Sequence, residues 1–210
     1  MRRFHRQLMA SREEIAVAAT LNPDDPTPYV AEIWTALGLG YSHQQMRELW
    51  ADIAARAPHH FEAHFSAVQY WSAKWRGSDE LARTFARQAS SGAPRGSLMA
   101  ALPLFAWYET ILAQRTEVLG YRSSEVRAMV DAALGDVDAA DGHPRLPEVR
   151  HLLAHCLYEQ GRRQEALEQF RKVDGYVGAV PWRYSSHKRL YYRATRTAAA
   201  RGALIESLRR

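Results

Sequence analysis

The stretch "LAHCLYEQGRRQEALEQFRKV", residues 153–173, decides how this chain is read. Pro147, a residue suited to the first turn of a helix, opens the segment that leads into it and carries His151 and His155. Gly161 ends that helix, because glycine readily takes the left-handed backbone of a C-terminal cap. "RQEALEQFRKV" is a second helical run, stopped before "DGYVG". The short break between the runs makes this a pair of helices packed side by side.

The same punctuation recurs outward from this pair. Thr27-Pro28 starts an apolar run that reaches Leu37 before Gly38 and Gly40. Ser42 with Gln45 three residues on is a capping box, and Met46, Leu49, Trp50, Ile53 and Ala57 form an apolar stripe stopped by Pro58. Phe61, Phe65, Val68, Trp71 and Trp75 step by three or four up to Gly77. Ser78 then caps "DELARTFARQAS", with Asp79 and Glu80 at the positive end of the helix dipole, and Pro94 closes it. Ser97 opens a long apolar segment through Leu119 with Pro103 near its first turn, and Ser123 or Ser124 opens another that runs to about Ala140. An amphipathic helix fills most of 183–208, with Tyr184, His187, Leu190 or Tyr191, Ala194, Ala198, Leu204 and Leu208 as its expected inward apolar stripe. No segment alternates strictly in twos, so the fold class is all-α.

Once these pairs are counted, residues 153–173 resemble a tetratricopeptide repeat. Leu153, Ala154 and Leu157 take the large-small-large positions of its first helix, Gly161 the turn, Ala166 the small contact position, and Phe170 and Val173 the packing positions of its second helix. Trp50 with Pro58, and Phe85 with Pro94, recur about 35 residues apart like the aromatic and closing proline of such repeats. Segment 97–140 departs from the pattern, with longer helices and no consensus residues. The resemblance implies a right-handed α-solenoid occupying 1–210 as one domain. Its pairs fall at about 28–57, 60–91, 97–140 and 147–173, with capping helices at about 4–20 and 183–208. One pair cannot cover its own apolar face, so stacking supplies the core.

The resemblance also implies a concave surface that holds a peptide or partner protein. Carried over, its groove positions in the last pair are Glu148, His151, His155, Tyr158 and Glu159, and in the pair at 60–91 Glu62, Phe65, Gln69 and Ser72. Aromatic faces offer contact area there, while carboxylates and imidazoles select charge or hydrogen-bond donors. Trp34, Trp50, Trp71 and Trp107 lie in apolar stripes and are read as core, as is Trp75.

The histidines raise a competing chemistry. His60 and His64, and again His151 and His155, stand four apart, a spacing that suits a shared metal. In "HHFEAH", however, the glutamate is two residues after His60, whereas a zincin helix needs it immediately after the first histidine. Ordinary helix or groove residues are the expected reading, and a metal site at His60, His64, His151 and His155 is the alternative. No cofactor is expected. No phosphate loop, nucleophile elbow or cysteine-histidine pattern is present, so an enzyme is also the alternative rather than the expectation.

Charge and composition narrow the partners. Arg183, Lys188, Arg189, Arg193, Arg196, Arg201, Arg209 and Arg210 face only Glu206 in the last stretch. That local excess is larger than the whole-chain +5, so the preceding residues are slightly acidic. The basic tail is expected to be a solvated cap, with nucleic-acid binding through it as the alternative. No run of eighteen apolar residues exists, and the N-terminal stretch, cut by Arg12, Glu13 and Glu14, is not expected to be a signal peptide. A single cysteine, Cys156, forms no internal disulfide and suits a reducing cytoplasm. All but Lys74, Lys172 and Lys188 of the 28 basic residues are arginine, a bias of GC-rich bacterial genomes. A bacterial cytoplasmic interaction module or small regulatory scaffold is the expectation, with a protein or peptide as partner or a second copy of the chain in an oligomer, and no membrane.

Overall fold

A computed structural model describes residues 2–114, 118–173 and 175–208. These residues form ten α-helices and no strand: α1 (Arg2–Leu21), α2 (Thr27–Leu39), α3 (His43–Arg56), α4 (Phe61–Trp71), α5 (Asp79–Ser90), α6 (Leu102–Gln114), α7 (Ser124–Val137), α8 (Leu146–Glu159), α9 (Arg163–Arg171) and α10 (Lys188–Leu208). They gather into two compact units. The first comprises Met1–Pro94 with Ala106–Gln114, the second Arg95–Phe105 with Arg115–Arg210.

In the first unit α1 packs on α2, α2 on α3 and α4, and α4 on α5. The boundaries follow from local chemistry. Ser42 Oγ accepts from the Gln45 N–H at 3.3 Å while the Ser42 N–H donates to Gln45 Oε1 at 2.9 Å, satisfying two backbone donors that the start of α3 would otherwise leave open. Ser42→Ala is therefore expected to cost about 1 kcal/mol, measured as a lower urea midpoint. Gly40, at φ 76, ends α2 in the left-handed conformation and returns its N–H to Ala36 O. Ser78 caps α5 by accepting from the Leu81 N–H at 3.1 Å. The core of this unit is Ile33, Ala36, Met46, Ile53, Ala63, Ala67 and Tyr70 with their neighbours. Beside α4 lies a buried carboxylate, Glu109, whose Oε1 accepts from Gln69 Nε2 at 3.0 Å and whose Oε2 meets Lys74 Nζ at 2.7 Å.

In the second unit α7 packs against the 3₁₀ turn Met99–Ala101 and against α8, α8 against α9, and α10 against α9 and α8. The quoted stretch forms the expected pair, with Gly161 at φ 82 between α8 and α9. Leu153, Ala154, Leu157, Ala166 and Phe170 are fully buried. The long helix expected from Ser97 is instead a 3₁₀ turn followed by α6, with Pro103 in its first turn, where the missing N–H breaks no helical bond. Residues 115–117, within that expected helix, lie outside the described residues.

The last helix differs in phase from its sequence reading. The expected inward stripe was Tyr184, His187, Leu190 or Tyr191, Ala194, Ala198, Leu204 and Leu208; the residues actually buried are Tyr192, Thr195, Ala199 and Ala203. Leu190 is 69% exposed, and Leu204 and Leu208 also face outward. Close approach explains the difference. A Cβ added to Gly202 would lie 2.7 Å from Arg163 Cγ, so α10 runs nearly against α9 and presents small side chains there rather than leucines. Lys188, Arg189, Arg193, Arg196 and Arg201 are exposed; Arg209 and Arg210 lie outside the described residues.

Candidate functional site

Within the first unit, α3, α4 and α5 line a cavity of about 510 Å³ that opens to solvent past Arg47, His59 and Gln88. Three helices supply its aromatic walls. Trp50 of α3 meets His64 of α4 edge-on at 4.7 Å between ring centroids and Phe85 of α5 edge-on at 4.9 Å. His64 and Phe85 lie 5.8 Å apart, and Trp71, two turns beyond His64 on α4, closes the far wall with His43 5.1 Å away. Ala54 and Ala89 line the same space, and their short side chains leave the helices apart there. The size is that of a small-molecule site, and a mostly apolar lining with a few polar groups is typical of one.

The polar groups in this cavity are distinctive. His64 Nδ1 lies 3.0 Å from His60 O, and a carbonyl only accepts, so Nδ1 carries the proton. Burial pulls the His64 pKa down to about 4, leaving the ring neutral near pH 7. Nε2 is then a bare acceptor, and it meets no hydrogen-bond partner among the described residues. Trp71 is 8% exposed, and its Nε1–H is buried with no partner among the described residues. None of the described residues lining the cavity is Asp or Glu, and Arg47 at its edge donates to Gln44 Oε1 at 3.2 Å.

The groove residues inferred for the last pair all lie on α8, where the chain's own later residues meet most of them. Glu148 Oε1 accepts from the Val180 N–H at 3.0 Å, and His151 Nδ1 accepts from Trp182 Nε1–H at 3.1 Å. His155 lies between two phenols, with Tyr121 Oη 3.0 Å from Nε2 and Tyr191 Oη 3.4 Å from Nδ1. Tyr158 is half-buried under the Arg163 guanidinium, 3.9 Å above its ring. Glu159, also half-buried, has its pKa raised by desolvation. In the pair at 60–91, Glu62 is half-buried, while Phe65, Gln69 and Ser72 are buried, Gln69 against Glu109 and Ser72 Oγ donating to Gln69 O at 2.7 Å.

The histidine pairs have structural partners. His60 Nδ1 accepts from the Ala63 N–H at 3.2 Å and so caps α4, and His64 turns into the cavity wall. Among the described residues no group of three His, Cys, Asp or Glu side chains is placed to hold a metal. Cys156 is fully buried, and its desolvated thiol is pushed far up and stays protonated. Among the described residues, no helix is long and apolar enough to cross a membrane.

Sequence reading did not find the cavity. In the sequence Trp50 and Trp71 read as core and Phe85 as a repeat marker, and only their combination with Ala54 and Ala89 makes a void. Trp34 and Trp75, expected in the core, are each 49% exposed. Trp75 follows α4 in a turn held by Trp75 N–H to Ser72 O at 3.0 Å, so it leaves the helical phase of Trp71. No family model, curated protein or solved structure matches the chain.

Proposed function

We propose that this chain is a non-catalytic binding module, built of helical pairs that resemble tetratricopeptide repeats, and that it receives its ligand in the cavity between α3, α4 and α5. The observation that carries the reading is the cavity itself, about 510 Å³ with walls from Trp50, His64, Trp71 and Phe85. The groove expected along α8 is a weaker site in this reading, because Val180, Trp182 and Tyr191 already engage Glu148, His151 and His155. The first unit thus takes over the role the resemblance gave to that groove. A bacterial cytoplasmic setting remains part of the proposal.

Catalysis has little to work with in the cavity. Its deeply buried imidazole, His64, is held neutral, and none of the described lining residues, which include His43 and His59, is a carboxylate that could pair with an imidazole as acid and base.

A neutral dye that brightens in apolar surroundings, N-phenyl-1-naphthylamine, tests the reading. It is expected to saturate at one molecule per chain with energy transfer from tryptophan. Ala89→Trp, which fills the void, is expected to abolish the signal while leaving helicity intact. Unchanged dye binding in the folded Ala89→Trp variant would remove the cavity from consideration.

A further inference from the structure

We propose that the cavity takes an elongated, mainly apolar organic acid, with its anionic head at the end where α3 begins and its body running back between α3 and α5. This rests on the cavity being the binding site and adds the charge and shape of what enters it. The lining sets the charge. It carries Arg47, His43, His59 and His64 and, among the described residues, no Asp or Glu. Burying an ion without a counter-charge is costly, so a cation has nothing to pair with here, whereas an anion meets a guanidinium.

Positive charge gathers at one end of the cavity. His43 and Arg47 stand one turn apart at the start of α3. The His43 ring lies 6.3 Å from that of Tyr70 and 5.1 Å from that of Trp71, and its Nε2 donates to Arg76 O at 2.5 Å. Burial raises the pKa of the Tyr70 phenol, and the Arg76 and Arg47 charges both oppose that rise, so two guanidiniums stand within electrostatic reach of one hydroxyl. Arg47 gives an N–H to Gln44 Oε1, and among the described residues neither guanidinium pairs with a carboxylate. A guanidinium carries several N–H donors in a planar fork, so Arg47 still has donors for both oxygens of an acid.

The rest of the cavity sets the body. Along α3 the lining runs from His43 to Ala54, about 16 Å of helix, and is faced on α5 by Leu81, Phe85 and Ala89. Trp50 and Phe85 meet edge-on in the middle, where an inserted ring or chain covers apolar surface. A head held at Arg47 therefore leaves a long apolar path behind it.

Three biphenyls of one shape test this by competition with the neutral dye near pH 7: biphenyl-4-carboxylate, the uncharged biphenyl-4-carboxamide and the cationic biphenyl-4-carboxamidine. At low salt the carboxylate is expected to bind at least about threefold more tightly than the amide, a modest margin because Arg47 is exposed and screened by water, and the amidine more weakly than the amide. Raising the salt to about 0.5 M is expected to shrink that margin. Arg47→Gln is expected to bring carboxylate and amide within about twofold of each other while leaving the amide's affinity nearly unchanged. Arg87→Gln removes the same charge from an exposed α5 residue outside the lining and is expected to leave the margin in place. If the amide binds as tightly as the carboxylate, if the margin survives Arg47→Gln, or if none of the three displaces the dye, the inference falls, while dye binding that Ala89→Trp blocks still upholds the cavity as a site. Failure of the dye itself to bind, or of Ala89→Trp to block it, removes the site and the inference together.

Discussion

Truncating Trp182 to alanine is expected to destabilise the second unit by about 3–5 kcal/mol, enough to leave it largely unfolded at physiological temperature. The indole is fully buried and touches rings on three elements: Phe170 of α9 at 6.0 Å, His155 of α8 at 5.6 Å, and Tyr191 and Tyr192 of α10 at 5.3 Å each. Its removal leaves a large void at the point where those helices converge, and neighbours held by their own helices can only partly collapse into it. It also removes the donor to His151 Nδ1, stranding an acceptor in a dry interior at a further cost of about 1–3 kcal/mol. Trp182→Phe separates the two contributions, because it keeps most of the volume and loses only the N–H. Urea unfolding followed by far-ultraviolet circular dichroism is the measurement. A loss below about 1 kcal/mol in Trp182→Ala would mean that residues 179–192 are not what holds the α8 face.

The sequence shows why that anchor was missed. Trp182 sits in "AVPWRYSS", outside any periodic run, so the pattern rules that located the helices had nothing to say about it. Where local chemistry sets structure, the reading and the molecule coincide. Ser42, Ser78 and Ser123 cap α3, α5 and α7, and Gly40 and Gly161 take the left-handed turns that end α2 and precede α9. These signals need no partner from elsewhere in the chain. His60 shows the limit of spacing alone: its distance from His64 suggested a shared metal, while its ring serves as the cap that Ser or Asp more often supplies.

Packing between helices was far less legible. On α10 the count of large apolar residues pointed to Leu190, Leu204 and Leu208, but the contact with α9 is decided by which face allows approach, and that is the face of Ala199 and Ala203. The cavity is harder still to read, since it depends on Ala54 and Ala89 leaving a gap that Trp50, Trp71 and Phe85 do not fill. A void has no residue of its own. The aromatic residues around it look the same in sequence as those of a filled core.

Each unit is expected to lose stability as the pH falls from about 6.5 towards 4, through one buried histidine. Desolvation lowers the pKa of His64, in the first unit, to about 4 and that of His155, in the second, to about 3, against an ordinary 6.5. Between the folded and unfolded values the unfolded chain binds the extra proton, so unfolding takes up a proton and stability rises with pH. The contribution is fully present above about pH 6.5 and declines by about 1.4 kcal/mol per pH unit for each histidine as the pH drops, levelling off below the folded values. Over the window this is on the order of 3 kcal/mol for His64, a large share of what a domain of this size has. Glu159 acts in the opposite direction in the second unit: its desolvated carboxyl has a raised pKa, so the folded state takes that proton first and offsets part of the loss. Urea melts at pH 7.5, 6, 5 and 4.5 are the measurement, and the slope with pH is the readout rather than the absolute stability. His64→Gln and His155→Gln are each expected to flatten the slope in their own unit even where they lower stability at neutral pH. A wild-type midpoint that stays constant from pH 7.5 to 4.5 would show that both rings reach water and protonate without unfolding, which the burial of His64 and His155 does not allow.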